Sequence, residues 1–186
     1  MKKINSTFLM TMFVMIFFVG CGCNNEELSK IIIDNNDKNY LKGSSENISF
    51  IDQDENNIIA NLETVNYYTE QHEIGRDACE YNTYEYGNRV FKMGNYSGKI
   101  SLEYNSNLSI QVNNNVDYNN LVLKNPQEVN FDNLLNDIEL SGFTFNNVLV
   151  LEKVSEGGSI NKIVYSKTNG IEFILFEDGT WYKRVE

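Results

Sequence analysis

The alternation of apolar and polar positions divides this 186-residue chain into three zones. "MKKINST" carries two lysines, and "FLMTMFVMIFFV" follows as about a dozen uncharged residues. A helix needs about 20 apolar residues to cross a bilayer, so the run is too short to span one. A basic start followed by an apolar stretch of this length is the pattern of a cleavable secretory signal over residues 1–20. Residues 22–46 are polar apart from Ile31-Ile32-Ile33 and Tyr40-Leu41. They read as a tether, with the isoleucine triplet able to form a first short strand. From about Ile48 onward, short alternating segments are separated by turn residues, which predicts β-strands.

Within that third zone, "ISFI" and "IIANLETVNYY" flank "DQDENN", and "RVFKM", "KISLEY" and "LSIQV" are separated by "GNYSG" and "NSN". The C-terminal part is the clearest. "FNNVLVLEKV", "SINKIVYSK", "IEFILF" and "TWYKRV" are joined by "SEGG", "TNG" and "EDG". Asn169-Gly170 and Asp178-Gly179 predict hairpins with type I′ turns, which need positive φ at both central residues. Strict alternation puts Ile171, Phe173 and Leu175 on one face and Glu172, Ile174 and Phe176 on the other. That strand should be central and covered on both sides. Asn125-Pro126-Gln127-Glu128 has the form of a helix start, and Phe131, Leu134, Leu135 and Ile138 recur at helical spacing. A short helix ending near Asn136 is the expectation. The rival reading makes Ile138–Leu140 a strand that turns at Ser141-Gly142 into Phe143–Leu151. The predicted fold is mainly β: one antiparallel domain over residues 47–186, a curved sheet, sandwich or barrel, with one short helix.

Charge narrows the partners. The formal net charge is −11, and removing residues 1–20 takes away Lys2 and Lys3 and no acid. Nucleic-acid binding requires clustered lysine and arginine, so that class is excluded. Adhesion to anionic headgroups by charge alone is disfavoured for the same reason. Abundant asparagine suits turns, but a genome poor in G and C also raises it.

The end of the signal carries the most specific motif. Phe18-Val19-Gly20-Cys21 resembles the lipobox of bacterial lipoproteins, with phenylalanine where leucine is usual. The resemblance implies that Cys21 is diacylated and that the chain is cut before it. It also implies that the protein sits in the bacterial cell envelope, attached to a membrane by lipid. Gly22, a non-acidic residue after the anchor, implies the outer membrane in a host that has two. Two or three acyl chains hold a protein on a membrane durably, where one is marginal. Further on, Asn147-Val148-Leu149-Val150-Leu151, Tyr165-Ser166-Lys167, Gly170-Ile171, Phe173, Asp178-Gly179 and Trp181 loosely resemble the closing segment of small uncharacterised bacterial cell-envelope lipoproteins. That implies a β-rich secreted domain and transfers no active-site residue.

Four candidates for chemistry remain. Asp52, Asp54, Asn56 and Glu63 fall at positions 1, 3, 5 and 12 of a calcium-loop pattern. Asn57 replaces its glycine, and strand-like flanks replace its helices, so a polar hairpin turn between Ile51 and Ile58 is the favoured reading. His72 is the only histidine; it falls in a charged connection and lacks the partners of a triad or zinc site. Cys23 and Cys79 remain once Cys21 is acylated, and in an oxidising compartment they can pair; Cys79 as a buried free thiol is the alternative. Tyr84 and Tyr86 share a face if their segment is a strand, and with Tyr96 and interleaved asparagines they form a candidate surface for a protein or glycan. Ordinary strand packing is the competing explanation. No catalytic motif, resident metal or cofactor is expected. The leading reading is a non-enzymatic, membrane-anchored binding domain. The alternative is a carrier that holds a lipid or other apolar ligand in a cupped sheet, which would require a large apolar cavity.

Overall fold

The computed structural model describes residues 25–41, 43–74, 79–114, 120–125, 131–154 and 158–185. Strands dominate. They are β1 (Glu26–Ile31), β2 (Glu46–Asp52), β3 (Asn57–Leu62), β4 (Asn66–Glu73), β5 (Glu80–Met93), β6 (Tyr96–Glu103) and β7 (Leu108–Asn114). After these come β8 (Asn120–Lys124), β9 (Ile138–Leu140), β10 (Phe143–Phe145), β11 (Val148–Lys153), β12 (Ile160–Ser166), β13 (Gly170–Phe176) and β14 (Trp181–Arg184). Ten strands close into an antiparallel barrel in the order β5-β3-β2-β14-β13-β12-β11-β8-β7-β6, with β6 returning to β5. Closure removes the free edges that an open sheet would leave.

Alternation explains the wall. In β7, Leu108, Ile110 and Val112 are buried inside while Gln111 and Asn113 point out. In β5, Phe91 and Met93 are buried and Lys92 is exposed. Apolar-in and polar-out is the reverse of the pattern of membrane-spanning barrels. A ten-stranded barrel is wider than the eight-stranded kind that side chains just fill. Here Phe50, Phe91, Met93 and Tyr165 occupy the interior in one contiguous cluster with Ile33, Tyr40 and Leu41.

Those last three residues belong to the zone expected to be tether. The structure instead makes residues 26–41 part of the domain. β1 pairs in parallel with β5, a long-range match that local alternation does not announce. A short helix α1 (Asn35–Lys38) follows, started by Asp34, whose carboxylate accepts the Asn36 amide at 2.7 Å. Among the described residues this is the one short helix, and the helix expected after Pro126 falls in part on residues outside them. Residues 126–130 lie outside the described residues, and Phe131–Asn136 form turns with a bridge from Leu135 to Val148. Their apolar residues divide between two sites. Phe131 stacks on Tyr40 with ring centres 3.8 Å apart, and Leu135 packs against both cores. The rival strand reading is realised in part: the turn at Ser141-Gly142 forms, but the expected strand Phe143–Leu151 breaks at Asn146-Asn147, where Asn147 takes positive φ, into β10 and β11. β9 and β10 pair across Ser141 and Gly142, both at positive φ, and cover the outside of the barrel. There Phe145, Val148, Val164 and Phe173 form a second, smaller core.

β13 is indeed covered on both sides, but its faces differ from strict alternation. Val164 opposes Phe173 while the next residue, Tyr165, opposes Ile171, so Glu172 is an extra residue in β13. This bulge sends Ile171, Ile174 and Phe176 inward and Phe173 outward. Both predicted hairpins form, yet only their glycines, Gly170 and Gly179, have positive φ. At Glu177-Asp178 a turn closes with the Gly179 amide donating to the Phe176 carbonyl, and Gly179 then takes the left-handed position that was assigned to a type I′ turn.

Candidate functional site

β5 is fourteen residues long and does two jobs. Its C-terminal half lies in the barrel wall between β3 and β6, pairing through Phe91–Met93 and Tyr86–Met93 respectively. Its N-terminal half runs past the barrel, with β4 on one side and β1 on the other. The result is a three-stranded arm whose outer strands pair only with β5 among the described residues.

Period-two alternation sorts the arm into two faces. Thr83, Gly87 and Arg89 point to the barrel side and are buried. Asn82, Tyr84 and Tyr86 point the other way. Directly opposed residues share a face, so Tyr68 stands beside Tyr86, Glu70 beside Tyr84 and His72 beside Asn82. From β6, Glu103 opposes Tyr86, and Tyr104 follows it in the turn. The rings meet: Tyr84 and Tyr104 at 4.4 Å between centres, Tyr68 and Tyr86 stacked at 5.7 Å, and Tyr86 and Tyr104 edge-on at 6.0 Å. His72 adds an edge contact to Tyr84 at 4.9 Å. Ser29 donates to Asn82 Oδ1 at 2.6 Å, and Asn82 Nδ2 donates to the Tyr84 hydroxyl at 3.2 Å. Loss of hydration raises the Tyr86 phenol above its ordinary value, and the carboxylates of Glu70 and Glu103 add to the shift. An aromatic surface with acidic neighbours is thus built on rigid strands.

The barrel-side face fixes the arm at its root. Glu85 accepts the Ile33 amide at 3.0 Å and pairs with Lys38 at 2.9 Å. The Lys38 ammonium lies 5.1 Å from the centre of the Tyr67 ring, and the Tyr67 hydroxyl donates to the Lys38 carbonyl. Arg89 is only 4% exposed and holds four acceptors: the carbonyls of Glu63, Leu41 and Ser44, and the Glu46 carboxylate at 3.0 Å.

Of the three tyrosines read as binding candidates, the structure brings Tyr84 and Tyr86 together and places Tyr96 elsewhere. The Tyr96 hydroxyl lies 3.1 Å from Ser159 Oγ, and its ring packs 5.6 Å from that of Phe176. The calcium-pattern residues do not converge. Residues 53–56 form the tight turn of the β2–β3 hairpin. Asp52 uses its own oxygens there, accepting the amides of Asp54 and Asn56 at 2.9 Å and the Asn56 side chain at 3.0 Å. Glu63 lies beyond the far end of β3, roughly 20 Å away by strand geometry, and faces Lys92 at 3.9 Å. Cys79 is disulfide-bonded, which replaces the buried free thiol. The other two cysteines of the chain, Cys21 and Cys23, lie outside the described residues.

Tyr68, His72 and Tyr104 join the surface beyond the tyrosines named from the sequence. The signal for Tyr104 is present in the register. A tight turn at Gly94-Asn95 pairs Met93 with Tyr96, and counting back along both strands puts Glu103 opposite Tyr86. No known protein family matches the chain, and neither does any curated protein or solved structure.

Proposed function

We propose that this chain is a lipid-anchored protein of the bacterial cell envelope, whose barrel presents the tyrosine face of the arm as a non-enzymatic binding surface. One observation carries the binding half: Tyr68, Tyr84 and Tyr86 gather on the outward side of the arm's strands, and Tyr104 joins them from the turn after β6. Tyrosine suits such surfaces because its ring supplies apolar area and its hydroxyl remains hydrated. The geometry at His72 supports a binding role over catalysis. Its Nε2 faces both the Tyr86 hydroxyl, at 3.5 Å, and Glu70, at 3.6 Å. A base held for proton transfer is oriented through its far ring nitrogen, and here both contacts fall on the same one. Phe50, Phe91, Met93 and Tyr165, buried together inside the barrel, favour the surface reading over the carrier reading, whose ligand would need that space.

The anchoring half rests on Phe18-Val19-Gly20-Cys21. With Cys21 acylated, Cys23 is the remaining partner for Cys79. The Glu26 amide donates to the Cys79 carbonyl at 2.7 Å, so β1 begins beside that cysteine, three residues after Cys23. The arm would then be stapled two residues, at most about 7 Å of chain, from the acylated cysteine. Palmitate labelling of the full chain tests the anchor: incorporation lost in Cys21→Ala supports it, and undiminished incorporation refutes it. Thermal unfolding of Tyr84→Ser and Tyr86→Ser tests the surface. A midpoint close to that of the parent marks rings kept for recognition, whereas a loss of the size seen for core tyrosines would make them packing residues.

A further inference from the structure

The proposed surface also has a sign. Its outward positions carry four carboxylates, Glu26, Glu70, Glu80 and Glu103, placed there by alternation and register with Asn82, Tyr84 and Tyr86. Among the described residues of the arm, no lysine or arginine shares that face; Lys30 pairs with Thr83 and so belongs to the other one. The acids bracket the rings. Glu26 and Glu80 oppose each other at one end, and Glu103 stands beside Tyr86 at the other. From residue 80 to residue 86 the strand covers roughly 20 Å.

Resting on the binding-surface reading above, we infer that the partner is a basic protein segment, an extended stretch whose lysine or arginine side chains lie across the tyrosines and reach the flanking carboxylates. Three features select this occupant. Tyrosine faces attract cations through the ring quadrupole. The apolar stems of lysine and arginine cover aromatic area while their charged heads stay hydrated. Carboxylates spread over roughly 20 Å cannot all be met by one small cation, but a chain with a charge at every second residue meets them in register with the strands. The open side of β4 lets such a chain approach without displacing any described strand. An anionic partner would be repelled, and a neutral sugar would leave the acids without a role.

The test is calorimetric titration of the full chain in detergent micelles with four probes. They are a twelve-residue peptide of alternating lysine and serine, its glutamate counterpart, spermidine and chitohexaose. The lysine peptide should bind, and its affinity should fall as salt rises from about 20 mM to about 300 mM. Affinity should drop at least about fivefold in Tyr84→Ser/Tyr86→Ser and again in Glu70→Gln/Glu80→Gln. The second pair conserves shape, so it reports charge without the folding risk of removing two rings. Equal binding of both peptides, or of spermidine and the lysine peptide, overturns the inference. Chitohexaose bound by the parent and lost only in the tyrosine variant also overturns it, while leaving the binding-surface function standing. If no probe binds and the tyrosine variant unfolds early, both readings fail.

Discussion

Replacing Arg89 tests how the segment between α1 and β2 is held to the barrel. Its side chain is 4% exposed, yet it sits on the barrel side of β5 among Leu41, Ser44, Glu46 and Glu63. Three of its four acceptors are main-chain carbonyls, so it fastens the segment after α1 and the end of β3 to the same strand. The ion pair contributes little by itself, because the Glu46 side chain is 41% exposed and water screens it. The carbonyls matter more. Each buried acceptor left without a donor costs about 1–3 kcal/mol, and Leu41 is itself buried. Arg89→Met fills similar volume and satisfies none of them, so it should destabilise by about 3–5 kcal/mol. For a chain of this size that lowers the melting midpoint by about 6–20 °C. Arg89→Lys keeps the charge but not the planar fork, and about half the loss should remain. Guanidinium unfolding followed by the single tryptophan, Trp181, gives both values, with an unchanged slope showing that the folded state is otherwise intact. Arg89→Met within about 1 kcal/mol of the parent, the floor for a single buried acceptor left without its donor, would falsify the fastening role.

Other outcomes follow from single contacts. At Gly98 an added methyl would lie 2.3 Å from the Gln111 carbonyl oxygen and 2.5 Å from the Phe91 ring. Gly98→Ala should therefore lose about 2 kcal/mol or more in denaturant unfolding, while Gly43→Ala, with open space at that position, should be close to neutral. Tyr165 is fully buried and donates to the Tyr40 carbonyl; burial drives its phenol far above the ordinary value, with nearby Arg89 offsetting part of the rise. Tyr165→Phe should cost about 1–3 kcal/mol in the same assay, and no loss would mean that water satisfies the carbonyl. Hydrogen bonds lower the carboxyls of Asp52, from Asn56, and Asp178, from Thr180. Their folded values lie below the unfolded ones, so their stabilisation is complete above the ordinary carboxylate range, about pH 4, and disappears as pH falls through the lower folded values. Unfolding midpoints measured from pH 5 downward should fall less steeply in Asp52→Asn/Asp178→Asn than in the parent; identical slopes would refute the linkage.

What was legible in the sequence was local. Alternation in Leu108-Ser109-Ile110-Gln111-Val112 specifies a strand with one buried face because neighbouring side chains alone decide it. The turn glycines mark hairpins for the same reason, although turn type depends on the φ of a neighbour that sequence does not show. What was hidden is long-range or cumulative. Nothing in "EELSKI" announces a parallel partner more than fifty residues away, so β1 reads as polar tether. α1 has no apolar residue, and the buried Ile33, Tyr40 and Leu41 on either side of it only add to a core built mainly by other strands. Glu172 adds one residue to β13, and every later side chain changes face. The tyrosine surface was half visible. Tyr84 and Tyr86 share a strand, whereas Tyr68, His72 and Tyr104 join them only through pairing. Tyr96, near in sequence, points into different surroundings.

The placement of charge and apolar area argues for where recognition occurs. Phe50, Phe91 and Tyr165 are among the large side chains buried inside the barrel. A second core under β9 and β10 covers part of the outer wall with Phe173 and Val164. Both arrangements consume apolar side chains in packing. The arm does the opposite: the rings of Tyr68, Tyr84 and Tyr86 stay on its outward face, where among the described residues no strand packs over them, although Thr83 and Gly87 on the reverse side are buried. A chain that needed those rings for stability could have turned them inward, since a change of one residue in register exchanges the two faces of a strand. The register is instead held against such a slip by Glu85, which grips Ile33 and Lys38 from the barrel side. Weakening that grip should therefore disturb the tyrosine surface before the barrel. In Glu85→Gln, amides of β4 should exchange faster while those of β7 and β12 stay protected. Equal acceleration in all three strands would show that arm and barrel open as one unit.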